Sequence, residues 1–268
     1  MPDLLAERRG SAMVLTLNRE SKRNALSPEM LGLLGDEISK AAQDDELRAV
    51  VLTGAGSKAF SAGMDLGFLF EHLSSHPTSE RIRKVQREIQ DLFSRLEQLE
   101  KPTLVAIEGN CVGGGLELAL CCDLRIASRD AKLGFPEARI GMLPDLGGTT
   151  RLSRLVGPTL AKEWIMTARQ YTADQAYQRG VVNEVVSPGQ ALSVALDWVK
   201  ELTRAAPLAI AWTKRIIDRG WGLSLAQSLE LEQDAMCELL PSEDLKEGIR
   251  AFLEKRPALF RGQKPGAV

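Results

Sequence analysis

Gly109-Asn110-Cys111-Val112-Gly113-Gly114-Gly115-Leu116-Glu117-Leu118-Ala119-Leu120-Cys121-Cys122-Asp123 is the stretch on which the reading of this chain turns. The β-type run Thr103-Leu104-Val105-Ala106-Ile107 precedes it, so a strand delivers the backbone to three consecutive glycines. Glycines at a helix start let a ligand approach the backbone and leave N–H groups without intrahelical partners. Beyond them the segment is apolar on nearly every face except at Glu117. A lone carboxyl there is poorly solvated, which raises its pKa. Anion-stabilising amides beside a tuned acid are the parts needed for chemistry next to a carbonyl, and they mark the chain as an enzyme. The competing reading is a tight turn that merely packs helix against strand.

Working outward, Met13–Leu17, Ala49–Thr53, Thr103–Glu108, Leu124–Ala127, Lys132–Phe135 and Val181–Val186 read as strands. A helix opens at Ser27-Pro28, with Ser27 as N-cap and Pro28 at the first helical position. A long polar helix is expected over about Thr78–Leu99, another from Gly113, and helices around Pro207–Arg219, Leu223–Leu239 and Ser242–Leu253. Strands alternating with helices make an α/β layer structure. The apolar residues of the helical tail need a neighbour to pack on, within the chain or across subunits. The expected division is a core over 1–200 and a helical region over 201–268. No fixed-period repeat is evident.

Composition excludes several classes. The chain has 268 residues, and its 34 Lys and Arg nearly balance 36 Asp and Glu, so no global basic field suits nucleic acid. No run of about 18 apolar residues spans a membrane and no secretory leader opens the chain, which makes a cytoplasmic protein the expectation. Cys111, Cys121, Cys122 and Cys237 lack zinc-ligand spacing, and Cys121 and Cys122 read as buried small side chains in the apolar helix. The two histidines, His72 and His76, fall in a polar stretch ending in Pro77 that reads as a loop, so no metal site is expected. Without a catalytic histidine, acid–base work falls to carboxylates.

The glycine run fails the dinucleotide fingerprint, because Leu118 stands where a third spaced glycine is required. A second glycine loop, Phe60-Ser61-Ala62-Gly63-Met64-Asp65, follows a strand, and an oxyanion hole needs amides from two separated segments. Lys22-Arg23-Asn24-Ala25-Leu26, that loop, Gly113-Gly114-Gly115-Leu116-Glu117, Phe135-Pro136-Glu137 and Gly147-Gly148-Thr149 stand in one order. In that order and spacing, over essentially the whole chain, the sequence resembles the enoyl-CoA hydratase/isomerase, or crotonase, family.

The resemblance implies an α/β fold built as a crotonase-like spiral of ββα units, with a helical C-terminal region that joins subunits into homotrimers or hexamers. It implies an acyl-CoA thioester substrate, with coenzyme A part of the substrate and no separate cofactor. The thioester oxygen would be held by the backbone N–H groups of Met64 and Gly114. Glu117 and Glu137 align with the two glutamates that, in the hydratases, hold a water adding across the C2=C3 bond of a 2-enoyl thioester. There Glu117 would help activate the water and Glu137 would deliver the proton to C2. Substrate contacts would come from Arg23, Ala25, Ala62, Asp65, Leu66, Gly113, Pro136 and Gly141, with Arg261 or Lys264 near the phosphates. From the residues alone, Met64 reads equally as an ordinary apolar loop residue, and each glutamate could pair with Arg125 or Arg139.

Asp145 departs from the hydratase pattern, which has glycine there. Dienoyl-CoA isomerases of the family carry an acid at this place, and in them it passes protons together with the acid at the Glu137 position. A double-bond isomerase using Glu137 and Asp145 is therefore the alternative to an enoyl-CoA hydratase. A plainer reading makes Asp145 the N-cap of a helix beginning near Gly147. A non-catalytic or RNA-binding member of the fold is disfavoured, since both acids and both amide loops are intact.

Overall fold

The structure, a computed structural model, describes residues 1–74 and 76–262, with the backbone alone for His72 and Leu73. In chain order the elements are β1 Leu4–Arg9, β2 Ala12–Leu17, α1 Pro28–Gln43, β3 Ala49–Gly54, β4 Ala59–Ser61, α2 Leu66–Ser74 and α3 Ser79–Glu97. Next come β5 Thr103–Ile107, β6 Asn110–Val112, α4 Gly114–Ala119, β7 Leu124–Ser128, β8 Lys132–Gly134, α5 Gly148–Val156 and α6 Pro158–Met166. The chain ends with β9 Gln170–Thr172, α7 Ala173–Gln178, β10 Glu184–Val186, α8 Ala191–Leu202, α9 Pro207–Gly220, α10 Leu225–Leu239 and α11 Glu243–Leu253.

Two sheets form, ordered β1-β2-β3-β5-β7-β10 and β4-β6-β8-β9. From β2 to β10 the first sheet is parallel, as is β4-β6-β8 in the second. Each of β3, β5 and β7 passes a short corner and continues into β4, β6 or β8, and a helix returns the chain to the next turn. This is the expected ββα spiral. Its turns start at Ala49, Thr103 and Leu124, so the intervals are unequal and no sequence period betrays them.

The strands are apolar on both faces because both are covered. Leu15, Leu17, Val50, Leu52, Val105 and Ile107 belong to the core under α1, α3 and α4. Their alternates Val14, Val51, Leu104, Ala106 and Ile126 meet Ala191, Ala195 and Val199 of α8. Helix α1 starts as expected, the Ser27 hydroxyl accepting from Met30 N. Among the described residues no helix is long and apolar enough to cross a membrane.

Three expectations need correction. The stretch around His72 is no loop, because α2 runs to Ser74, its first turn closed by Gly67 N donating to Asp65 Oδ1 at 2.9 Å. Cys121 and Cys122 are buried but lie beyond α4, which ends at Ala119. There the buried Arg125 guanidinium donates to Cys122 O at 2.6 Å and to Ala119 O at 3.4 Å, satisfying carbonyls that a continuing helix would have used. Of Val181–Val186 only Glu184–Val186 pairs as strand, since Val181 N is drawn to Ala176 O.

Candidate active site

The three glycines each meet a different neighbour. Gly113 has φ +55°, a region that favours glycine, and a methyl group on it would lie 2.8 Å from Glu137 Oε1. On Gly114 the methyl would stand 3.4 Å from Met64 N, and on Gly115 it would strike Ser61 Cβ at 2.6 Å. The run therefore brings α4 against the loop after β4 and leaves room for Glu137 above.

That loop is braced from the first segment. Arg23 and Asn24 adopt left-handed backbone conformations, and buried Asn24 donates through Nδ2 to Ala55 O and Ala59 O. Ser61 Oγ donates to Asn24 O and accepts from Gly63 N. Leu26 pairs alongside, its N–H donating to Gly63 O and its carbonyl accepting from Asp65 N. Those bonds use the flanking residues, so the N–H of Met64 points the other way, toward Gly114. Gly114 is the first residue of α4, and its N–H has no intrahelical partner. Among the described residues neither amide has a protein acceptor.

Glu117, on α4, is 2% exposed. Its Oε1 accepts from Leu146 N and Gly148 N, both at 2.8 Å. Burial pushes its pKa up to about 8; the Gly148 N–H opposes the rise, and the negative charges of Glu137 and Asp145 add to it. Glu137, in the short turn after β8, is raised to about 7, mainly by burial and further by Asp145. Its Oε2 is buried without a hydrogen-bond partner. Two carboxyls with raised pKa values, the charge of Glu137 acting on Glu117, thus stand near two free amides.

The arginine-pairing reading is not realised. Arg125 spends its guanidinium on backbone carbonyls, including Val181 O at 2.7 Å, and Arg139 is exposed. Asp145 is not a helix cap either: Gly147 occupies that position of α5, and the Asp145 carboxylate accepts from Gln86 Nε2 at 2.7 Å. Gln86 and Gln90 of α3 were not anticipated, because polar residues on a polar helix look like a solvated face.

Of the expected substrate contacts, exposed Arg23 and Ala62 are joined by a 2.9 Å bond from Ala62 N to Arg23 O, with half-buried Ala25 beside them. Leu66 is exposed at the start of α2. The Asp65 carboxylate is engaged by Arg19 at 2.9 Å, which holds its pKa below the usual range. Gly113 and Pro136 flank Glu137, and Gly141 (φ +78°) closes the turn that carries it. Arg261 is not brought to this group within one chain; it lines a separate cleft with Arg48, Lys101 and Pro207. Lys264 lies outside the described residues. Among the described residues no cluster of three or more His, Cys, Asp or Glu could hold a metal.

Gly148 is part of the same construction. A methyl group there would sit 2.8 Å from both Glu117 Cγ and Pro144 Cβ. Gly148→Ala is expected to cost about 1–3 kcal/mol of stability by overpacking, read as a lower denaturant midpoint at unchanged slope.

The enoyl-CoA hydratase/isomerase family model matches residues 7–263. The chain is 39% identical over 254 residues to the short-chain-enoyl-CoA hydratase of Clostridium acetobutylicum, covering 95% of each chain. It is 36% identical over 258 residues to the crotonyl-CoA hydratase of Syntrophomonas wolfei, covering 96% of this chain and 97% of that one. The crystal structure of an enoyl-CoA hydratase from Bacillus anthracis superposes with a TM-score of 0.91 at 34% identity, over 97% of this chain and all of the other. With a spiral of ββα turns, two free amides, a buried Glu117 and a half-buried Glu137, the chain belongs to the enoyl-CoA hydratase/isomerase family.

Proposed function

We propose that this protein is an enoyl-CoA hydratase acting on a short 2-enoyl-CoA thioester. The observation that carries this reading is the pair of raised carboxyls, Glu117 and Glu137, beside the free amides of Met64 and Gly114. The amides accept the thioester oxygen as it gains charge, preorganised by the glycine turn and the Leu26 pairing. A water between the carboxyls loses a proton to Glu117 and attacks C3, while Glu137 protonates C2. One proton enters the pair at Glu117 and one leaves it at Glu137, so its proton count is unchanged, and the proton passes back from Glu117 to Glu137 before the next turnover. Hydration draws on no cofactor beyond the coenzyme A carried by the substrate. Arg23, Ala25, Ala62 and Leu66 offer the rim on which that carrier would lie, with backbone at Asp65, Gly113, Pro136 and Gly141.

A pair that works with one proton gives a bell-shaped dependence of kcat/KM on pH. Its limbs are expected near 7 and 8, and because Glu137 has the lower value, the productive form with the proton on Glu137 is the less populated of the two one-proton forms. Below the bell both carboxyls are protonated and no base remains; above it both are ionised and no acid remains. A flat profile across that window contradicts the one-proton pair.

Assembly as a homotrimer or hexamer, through residues 201–268 acting as a distinct helical region, is part of the same reading. The exposed Trp221, Leu225, Phe252 and Leu253 support it. So is a cytoplasmic location. The test of function is ultraviolet absorbance with a short 2-enoyl-CoA and a 3,5-dienoyl-CoA in parallel. A hydratase removes the enoyl band; a conjugated 2,4-dienoyl band from the second substrate, with the first untouched, would make the protein the isomerase.

A further inference from the structure

We propose that Gln86 and Gln90 are positioning residues for Glu117, acting through Asp145, which serves as the acceptor in this frame. The proposal rests on the hydratase reading and assigns work to three side chains outside the glutamate pair.

Gln86 and Gln90 are one turn apart on α3 and share a face. Gln86 Nε2 donates to Asp145 Oδ2 at 2.7 Å, and Gln90 Nε2 donates to Asp145 O at 2.6 Å. The next N–H groups along the chain that bond outward, Leu146 N and Gly148 N, are the donors that hold Glu117 Oε1. One turn therefore takes its position from α3 on one side and hands it to Glu117 on the other. A further tie runs through Arg151, which is paired with Glu97 of α3 at 2.8 Å and donates to Leu146 O at 3.1 Å. Residues 144–147 belong to no strand or helix, so no ladder of backbone bonds fixes them and these side-chain ties set their place.

The same contact bears on proton transfer. The Gln86 N–H holds Asp145 Oδ2 as an acceptor and leaves Oδ1 as the oxygen of Asp145 free to turn elsewhere. The titratable groups that act on one another here are Asp145, Glu117 from α4 and Glu137 from the turn after β8; the nearby cation, Arg151 of α5, is committed to Glu97. The negative charge of Asp145 raises the pKa of both glutamates and so helps the pair keep its proton.

The test uses Gln86→Ala/Gln90→Ala and Asp145→Asn in the full chain, with a short 2-enoyl-CoA and with amide hydrogen exchange of the free protein. The double variant is expected to lose about 10- to 100-fold in kcat, the scale of a misplaced catalytic group, with KM little changed. Exchange at Leu146 and Gly148 is expected to speed up. Asp145→Asn can keep the tie, because the Gln86 amide turns over and accepts from the new amide. It is expected to turn over far faster than Glu137→Gln, with its pH profile moved to lower pH by loss of the charge. Unchanged kcat and exchange in the double variant would overturn the positioning role. Loss of turnover in Asp145→Asn as deep as in Glu137→Gln would make Asp145 a proton carrier. Failure of the hydratase reading looks different: the wild type leaves the enoyl band intact while the exchange effect persists.

Discussion

Glu137→Gln is expected to lower kcat for hydration about 10²–10⁴-fold, the usual contribution of a positioned acid or base, with KM changed far less. The amide is nearly isosteric and cannot deliver a proton to C2. The carboxyl it replaces lies over Gly113, with Oε2 buried and unpartnered, a state that costs stability and persists where function retains it. The stability sign follows from the same group. Its pKa in the fold is about 7 against an ordinary 4.5, so between those values the folded state binds more protons than the unfolded one. Stability therefore falls as pH rises through that window. The glutamine variant escapes this loss and is expected to melt above the wild type at pH 8. A variant that is both inactive and less stable at that pH would contradict the assignment of a half-buried carboxyl with an unpartnered oxygen.

Gly114→Pro is expected to lower kcat by about 10²–10³, the cost of removing one oxyanion donor. Proline is tolerated at the first position of a helix, where its missing N–H has no intrahelical role, so α4 itself can persist. The new Cβ would meet Met64 Cγ at 3.3 Å, a tight approach that calls for a control. Gly114→Ala makes the same contact and keeps the N–H. An alanine variant that retains most activity beside an inactive proline variant excludes crowding at Cβ and assigns the loss to the N–H position, where proline replaces the hydrogen with Cδ. Equal losses in both would assign the effect to crowding and remove Gly114 N–H from the account.

Much of this site was legible because its parts are local. Three glycines after a strand announce a backbone that something must approach, and an acid in an apolar turn announces a raised pKa. The cap at Ser27-Pro28 and the strands Ala49–Gly54 and Thr103–Ile107 follow from patterns a few residues long. Of the second sheet only β8 was legible, read as Lys132–Phe135. Strands β4, β6 and β9 have three residues each, too few for an alternation to register. Helix α2 was hidden because the serines, His76 and Pro77 outweighed the apolar residues before them, and Asp65 closes its first turn from outside. Asp145 misled for a related reason. An acid before a helix suggests a cap, yet Gly147 takes that place and Gln86, distant in sequence, takes the carboxylate. What pattern reading misses here is long-range pairing of polar groups, since nothing near either partner records it.

The most direct test of the central claim is hydration of crotonyl-CoA in heavy-oxygen water, followed by enoyl absorbance and by mass spectrometry of the product. The wild type is expected to remove the enoyl band and place one heavy oxygen at C3 of the 3-hydroxyacyl thioester, with near-complete loss of both signals in Glu117→Gln and Glu137→Gln. An enoyl band that persists with the wild type, or hydration that survives in both glutamine variants, would contradict that claim.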